Sequence, residues 1–324
     1  MKKILLIVVA LAVILAFVTT SQRSNSIIVY SSMEQFRNDA LQEQLNEVFP
    51  ELDVYVMYVS TGKAAAKISI EGVDTDADIV VGLDNAYMKN IEQYMADVSQ
   101  YSYLDYSEDM VAESDKYLIW ERQAGSIIVN KTILEKAGLP VPETYEDLLN
   151  PIYKNNIAMP DPKSSGTGFF FLKGLVNELG EDAAFAYMDG LAKNVKQFTE
   201  SGSGPVKLLI QGEVAIGLGL TFQAVNELNN GNDFLIIEPE YGSPYSLTST
   251  SMLEGRQHDE DIVRVFEYIV NDYMVYDKTY GSPEKVLKKQ INNIENYPEN
   301  ISYANMDGID DMEEKERLLA KWKY

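Results

Sequence analysis

Three short apolar runs near the start of the chain, each ending in small polar residues, alternate with segments of helical period. Residues 27–30 lead to Ser31 and Ser32, residues 54–59 to Ser60-Thr61-Gly62, and residues 77–81 to Gly82-Leu83-Asp84. Between the first two runs, Phe36, Ala40, Leu41, Leu45, Val48 and Phe49 fall on one helical face before Pro50 stops it. A helix between consecutive strands leaves little choice of topology. It makes the strands parallel neighbours, and a parallel sheet needs helices on both faces.

A second series of the same kind follows. Residues 126–130 read as a strand and 131–137 as a helix closed by Gly138; Pro140, Pro142 and Pro151 then mark a loop-rich stretch. Helices are expected over 169–179, 182–191 and 223–228, with strands at 214–218 and 234–237. From Asp259 the chain reads as largely helical, with Ile262, Val263, Phe266, Ile269, Val270 and Tyr273 on one face. A chain of 324 residues, 46% hydrophobic, is long enough to bury two cores. The expected architecture is therefore α/β, two lobes with a ligand cleft between them. Lobe 1 is expected over 27–118 with part of 247–290 returning to it, lobe 2 over 119–246, and a C-terminal helical segment over 291–324. In open α/β sheets ligands sit beyond the carboxyl ends of the strands, where the small polar residues lie.

Lys2 and Lys3 precede an unbroken apolar run over 4–18 and a polar stretch to residue 26. That pattern is a secretory signal peptide or an N-terminal anchor over 1–26. As a helix the run spans about 22 Å, short against a hydrocarbon core of roughly 30 Å. In either form it places the rest of the chain outside the cytoplasmic membrane.

Charge and composition exclude several functions. With 27 Lys plus Arg against 50 Asp plus Glu, the net charge of −23 argues against nucleic acid as a partner. Cysteine is absent, which removes disulfides, thiolate metal sites and a cysteine nucleophile. The one histidine, His258, lies in the polar stretch 256–260, and no Gly-x-Ser-x-Gly elbow accompanies it. Asp74, Asp76 and Asp78 alternate, but no calcium-loop Gly and Glu follow at the required spacing. No pair stands out among the acids for glycoside hydrolysis. The chain is expected to be neither an enzyme nor a holder of a cofactor or a metal made by side chains alone.

Ser164-Ser165-Gly166-Thr167-Gly168, just before the apolar run 169–172, is the most informative local motif. Small residues opening a helix expose backbone N–H groups at its positive end, which suits carboxylate, phosphate or phosphonate oxygens. No Lys-Ser or Lys-Thr ends it, so it is not a nucleotide P-loop. An ordinary N-cap is the competing reading, and Ser31-Ser32 and Ser60-Thr61-Gly62 carry the same two readings. Tyr241 and Tyr245, within 239–245, are candidates to line a cleft or simply to pack.

Taken together, these stretches resemble the extracellular solute-binding proteins of the ferric iron, polyamine and aminoethylphosphonate importers. Residues 27–32 (IIVYSS), 76–82 (DADIVVG), 126–130 (SIIVN), 137–151 (AGLPVPETYEDLLNP), 157–168 (IAMPDPKSSGTG), 211–219 (QGEVAIGLG) and 238–245 (EPEYGSPY) carry the likeness in order. The resemblance implies two α/β lobes joined by crossing strands and closing on a solute like a hinged trap. It also implies that the Ser-Gly-Thr helix start and the first-strand serines hold anionic oxygens. The implied partners are a small-molecule solute and the membrane permease of an ABC importer, served by a monomer. Iron binders of the group carry adjacent tyrosines where Leu220-Thr221-Phe222 stands here, and the loop Ser31-Ser32-Met33 has no histidine. The leader also lacks a lipid-accepting cysteine.

The expected ligand is a small anionic or zwitterionic solute, aminoethylphosphonate-like. Ser32, Thr61, Ser165, Gly166 and Thr167 are expected to grip its oxygens, with Ser31, Ser60, Gly62, Thr221 and Tyr241 around them. Asp84 or Glu240 would meet an amine. The alternatives are a ferric iron or polyamine binder and, from another class, an exported carboxylate-pair hydrolase.

Overall fold

The computed structural model describes residues 26–291 and 294–324; all but the last residue of the expected leader lies outside them. Residues 27–91 form the expected parallel unit. Strands β1 (Ile27–Ser31), β2 (Val54–Tyr58) and β3 (Ile79–Asp84) alternate with helices α1 (Gln35–Val48), α2 (Thr61–Glu71) and α3 (Asn85–Ile91). β1 pairs in parallel with β2 from Ile27↔Val54 to Ser31↔Tyr58, and with β3 from Val29↔Ile79. Successive side chains point to opposite faces of a strand, and both faces are covered. Val29 and Val81 pack with Leu41 and Leu45 of α1, whereas Tyr30 and Val80 pack with Ala64 and Ile68 of α2.

β4 (Leu118–Asn130) makes the molecule bipartite. Its first half pairs antiparallel with β9 (Tyr245–Met252), itself antiparallel to β3, and so belongs to the first sheet. Its second half lies between β7 (Ile216–Leu220) and β8 (Phe234–Ile237). The second sheet continues from β7 to β5 (Ile157–Pro160) and β6 (Val195–Thr199), all parallel. Helices α4 (Lys131–Lys136), α5 (Gly166–Leu179), α6 (Glu181–Leu191), α7 (Gly204–Ile210) and α8 (Thr221–Asn229) belong to this half. One face packs Ile127, Met159 and Ile216 on Phe169 to Leu172 of α5; the other packs Ile128 and Ala158 on Val206 and Leu209 of α7.

The C-terminal third divides between the cores. α9 (Glu260–Tyr268), a π-turn (Ile269–Tyr273) and α10 (Met274–Tyr280) pack Val265, Phe266 and Tyr273 on the first sheet. Ala304 and Met306, with Leu318 of α11 (Met312–Lys321) and then Trp322, pack on the second. Among the described residues beyond 290, only α11 is helical, so the expected helical segment over 291–324 is mainly irregular chain.

Two further expectations are corrected. The buried side of α1 is Arg37, Asn38, Leu41 and Leu45, whereas Phe36 and Val48 face solvent. Arg37 turns inward because Glu34, Glu121 and Asp277 surround its guanidinium with hydrogen bonds of 2.6–3.1 Å. The strand expected at 126–130 is the second half of a 13-residue strand. Its first half carries Glu121 and Arg122, which interrupt the apolar run yet are buried. Glu121 bonds Arg37, and Arg122 bonds Asp109 while lying 4.0 Å over the ring of Tyr303.

Candidate functional site

The carboxyl ends of β1, β2 and β3 meet as expected. Thr61 Oγ1 donates to Ser32 Oγ at 3.0 Å, and Ser32 Oγ donates to Val59 O at 3.0 Å. The Asp84 N–H reaches Thr61 Oγ1 at 3.4 Å, and Asp84 Oδ1 caps α3 by accepting from Ala86 N at 3.2 Å. Ser31 is buried, and its Oγ accepts from Met33 N. Ser60 sits at the N-cap of α2 without a side-chain cap bond. Gly62 is exposed beside Tyr87, whose hydroxyl would lie 3.8 Å from a Cβ there.

On the other half, Ser165 holds the extended N-cap conformation of α5, but its side chain makes no cap bond. The ordinary-cap reading of this serine is therefore not realised. The first intrahelical bond runs from Phe169 N to Ser165 O at 3.0 Å, so the N–H groups of Gly166, Thr167 and Gly168 precede any intrahelical acceptor. Gly166 is exposed, while Ser165 and Thr167 are buried. The helix start is pressed onto the backbone before it: a Cβ at Gly168 would lie 2.5–2.7 Å from Pro160 O, Asp161 C and Pro162 N. Gly202, in the Ser201–Gly204 loop, abuts Thr167 so closely that a side chain there would collide with its hydroxyl. Sequence reasoning passed over that loop, although its Ser-Gly-Ser-Gly composition matches the other strand ends.

The two groups face each other. A Cβ on Gly166 would stand 3.5 Å from Asp84 Oδ2, so the carboxylate at the end of β3 looks across at the positive end of α5. Lys315 of α11 enters the same place. Its ammonium is 3.8 Å from Asp84 Oδ1, 4.6 Å from the ring centre of Tyr87 and 5.0 Å from that of Phe169. The side chain is buried, and no sequence reading singled it out.

Three expected residues lie elsewhere or are engaged otherwise. Tyr241 stacks on Tyr145 at 6.0 Å between ring centres, and Glu240 accepts the Tyr145 N–H with both oxygens at 2.8 and 3.0 Å. Burial, then the charges of Glu240 and Glu178, raise the Tyr241 hydroxyl. Glu178 is near the far end of α5, about 18 Å from Gly166 at ~1.5 Å per residue, so Tyr241 and Glu240 belong to the opposite end of that helix. Thr221 is buried and shares a 2.6 Å hydrogen bond with Ser126, while Phe222 is in the core. Asp76 and Asp78 take part in ion pairs with Lys67 and Arg256.

Two doubly covered α/β sheets joined by crossing strands, with strand ends and a helix start facing each other, define a two-lobed binding protein. The chain belongs to the bacterial extracellular solute-binding proteins, whose family model matches residues 74–311. The periplasmic binding protein P5PA superposes with a TM-score of 0.73 at 22% identity, covering 92% of this chain and 98% of that one. AfuA from Actinobacillus pleuropneumoniae, with exogenous fructose-6-phosphate bound, gives 0.77 at 19% identity over the same shares. The apo ferric ion-binding protein A of Pasteurella haemolytica gives 0.72 at 15%, again covering 92% and 98%. An uncharacterised protein of Haemophilus influenzae is 34% identical over 131 residues, 40% of this chain and 38% of that protein, so the chain matches well under half of that relative's length.

The protein is thus an extracellular solute-binding protein of the kind that serves ABC importers. Among the described residues no helix is long and apolar enough to cross a membrane.

Proposed function

We propose that this protein captures a small anionic or zwitterionic solute, aminoethylphosphonate-like, between its lobes and passes it to the permease as a monomer. The observation that carries this is the uncapped start of α5 opposite Asp84 Oδ2. Unbonded N–H groups at a positive helix end favour an oxyanion, and a carboxylate a few ångströms away suits an ammonium on the same small molecule. The sugar phosphate in the AfuA structure supports an oxyanion ligand in a fold of this kind. Ferric iron held by side chains is disfavoured, since Thr221 and Phe222 follow β7 and both face inward.

The lobes are taken as 27–118 with part of 247–290, and 119–246. The net charge of −23 leaves nucleic acid outside the partners, and the protein is proposed to have no enzymatic activity. Calorimetric titration with 2-aminoethylphosphonate, beside Thr167→Ala, tests the reading. Loss of one charge-assisted hydrogen bond worth roughly 1.5–3 kcal/mol weakens binding about 10- to 150-fold. Unchanged affinity in the variant, or hydrolysis of the solute by the protein, would sink it.

A further inference from the structure

Lys315 brings a cation into the cleft with no close hydrogen-bond partner there. Its side chain is 5% exposed, yet Nζ is not among the buried nitrogens that lack a partner, so the stem is covered while the ammonium tip opens on the cleft. Among the described residues no acceptor lies within hydrogen-bond distance of it; Asp84 Oδ1, at 3.8 Å, is beyond that range and already accepts from Ala86 N. The rings of Tyr87 and Phe169 attract a cation but cannot take up three directed N–H bonds.

The segment that carries Lys315 has other fastenings. Glu314, the residue before it, pairs at 2.9 Å with Lys173 of α5, and Asp310 pairs with Lys89 of α3 at 2.5 Å and accepts from Asn85 at 3.2 Å. The segment is thereby fastened to both lobes, with Lys315 between the fastenings. The hydroxyls of Ser32 and Thr61 are meanwhile engaged with Val59 O and each other, so they do not present donors to a ligand in this arrangement.

We infer that Lys315 is the cationic anchor of the solute, its ammonium and the α5 N–H groups sharing one small oxyanion (a phosphonate, phosphate or carboxylate) while Asp84 Oδ2 receives an amine. The residue lies beyond the matched range 74–311, so the anchor is contributed by the chain's own C-terminal helix. This rests on the cleft reading above, and the test separates the two.

Wild type, Lys315→Met and Lys315→Arg are titrated calorimetrically with 2-aminoethylphosphonate, inorganic phosphate and β-alanine, and each unliganded protein is melted. The Met variant should lose at least tenfold in affinity (about 1.4 kcal/mol) for every probe that wild type binds, with its unliganded melting point unchanged or raised. The Arg variant should stay within a few-fold. Wild-type affinity in the Met variant overturns the inference and leaves the cleft reading intact, and a lowered melting point with intact affinity does the same by making Lys315 structural. Failure of wild type to bind any of the three probes overturns the cleft reading itself, and the inference with it.

Discussion

Arg37→Met is expected to be severely destabilising and to make the deficit depend on pH. Arg37 gives hydrogen bonds to Asp277 at 2.6 and 2.7 Å, to Glu121 at 2.8 and 3.1 Å, and to Glu34 at 2.9 Å. Glu121 and Asp277 are almost wholly buried and otherwise share one cation, Lys278, at 3.5 and 2.9 Å. Removing one member of such a buried cluster costs about 3–5 kcal/mol, out of a total stability of roughly 5–15 kcal/mol.

Burial alone would raise the Glu121 carboxyl, but the charges of Arg37 and Lys278 outweigh it and lower its pKa to about 2. Lying below the unfolded value, it contributes stability that is complete above pH 4.5 and is lost as pH falls towards 2, of the order of 3 kcal/mol. Glu34 works the other way: burial, opposed by Arg37, raises it, so its contribution is present below its unfolded value and fades as pH rises. Without Arg37, Lys278 is the one cation left beside Glu121 and burial raises that carboxyl, so the variant should regain part of its deficit between pH 7 and pH 5, where Glu121 adds no pH dependence to wild type. Denaturant melts across pH 5–8 read this through tryptophan fluorescence, because Trp120 stacks on Tyr273 at 6.1 Å with Lys278 over its ring. A deficit below about 1 kcal/mol, or one that stays constant over this range, would refute the account of the cluster.

Gly168→Ala should lower stability by about 1–3 kcal/mol or more and abolish solute binding, because its Cβ would meet backbone atoms of residues 160–162 that cannot yield; wild-type melting and titration curves would contradict the packing. Tyr241→Ala should cost about 0.5–1.5 kcal/mol from its stack on Tyr145 and leave affinity within twofold, so a tenfold loss in the titration would return the tyrosine to the cleft.

What was legible in the sequence follows from how each segment is buried. β1, β3 and β8 were read from apolar runs, and the Ser-Gly-Thr start of α5 from its small residues. β9 escaped because Ser246, Thr248, Ser249, Thr250 and Ser251 make it a polar string. It is buried nonetheless, with Ser249 donating to Asn85 Oδ1, Thr250 to Val80 O and Ser251 to Lys116 O. Burial of hydrogen-bonded polar groups leaves no hydrophobic period to read. The wrong face of α1 and the missing half of β4 share one origin, since Arg37 and Glu121 are buried as members of one charge cluster, paired with each other across 84 residues of sequence. Lys315 was hidden among Glu313, Glu314, Glu316 and Arg317, which read as a solvated face. One sign was present: Leu318 lies three residues on, on the same side of the helix, and is fully buried.

The overall charge and the charge at the cleft have opposite consequences for an anionic solute. A net charge of −23 opposes its approach, but salt screens that field over roughly 8 Å at physiological ionic strength. Inside the cleft, Lys315 and the first turn of α5 act at contact distance in a poorly solvated space, where a charge counts for far more. Asp84 then tempers the same spot. Its carboxylate faces the helix end that would receive the oxyanion, so a bare anion meets partial repulsion, while a solute carrying its own ammonium turns that carboxylate into a contact. On the proposed reading, selectivity for a zwitterion over a simple anion would reside in Asp84, and the grip on the oxyanion in Lys315 and the α5 backbone. The amine contact would then come from the end of β3 and the oxyanion contact from α5 and α11, so that a solute carrying both charges would span the two.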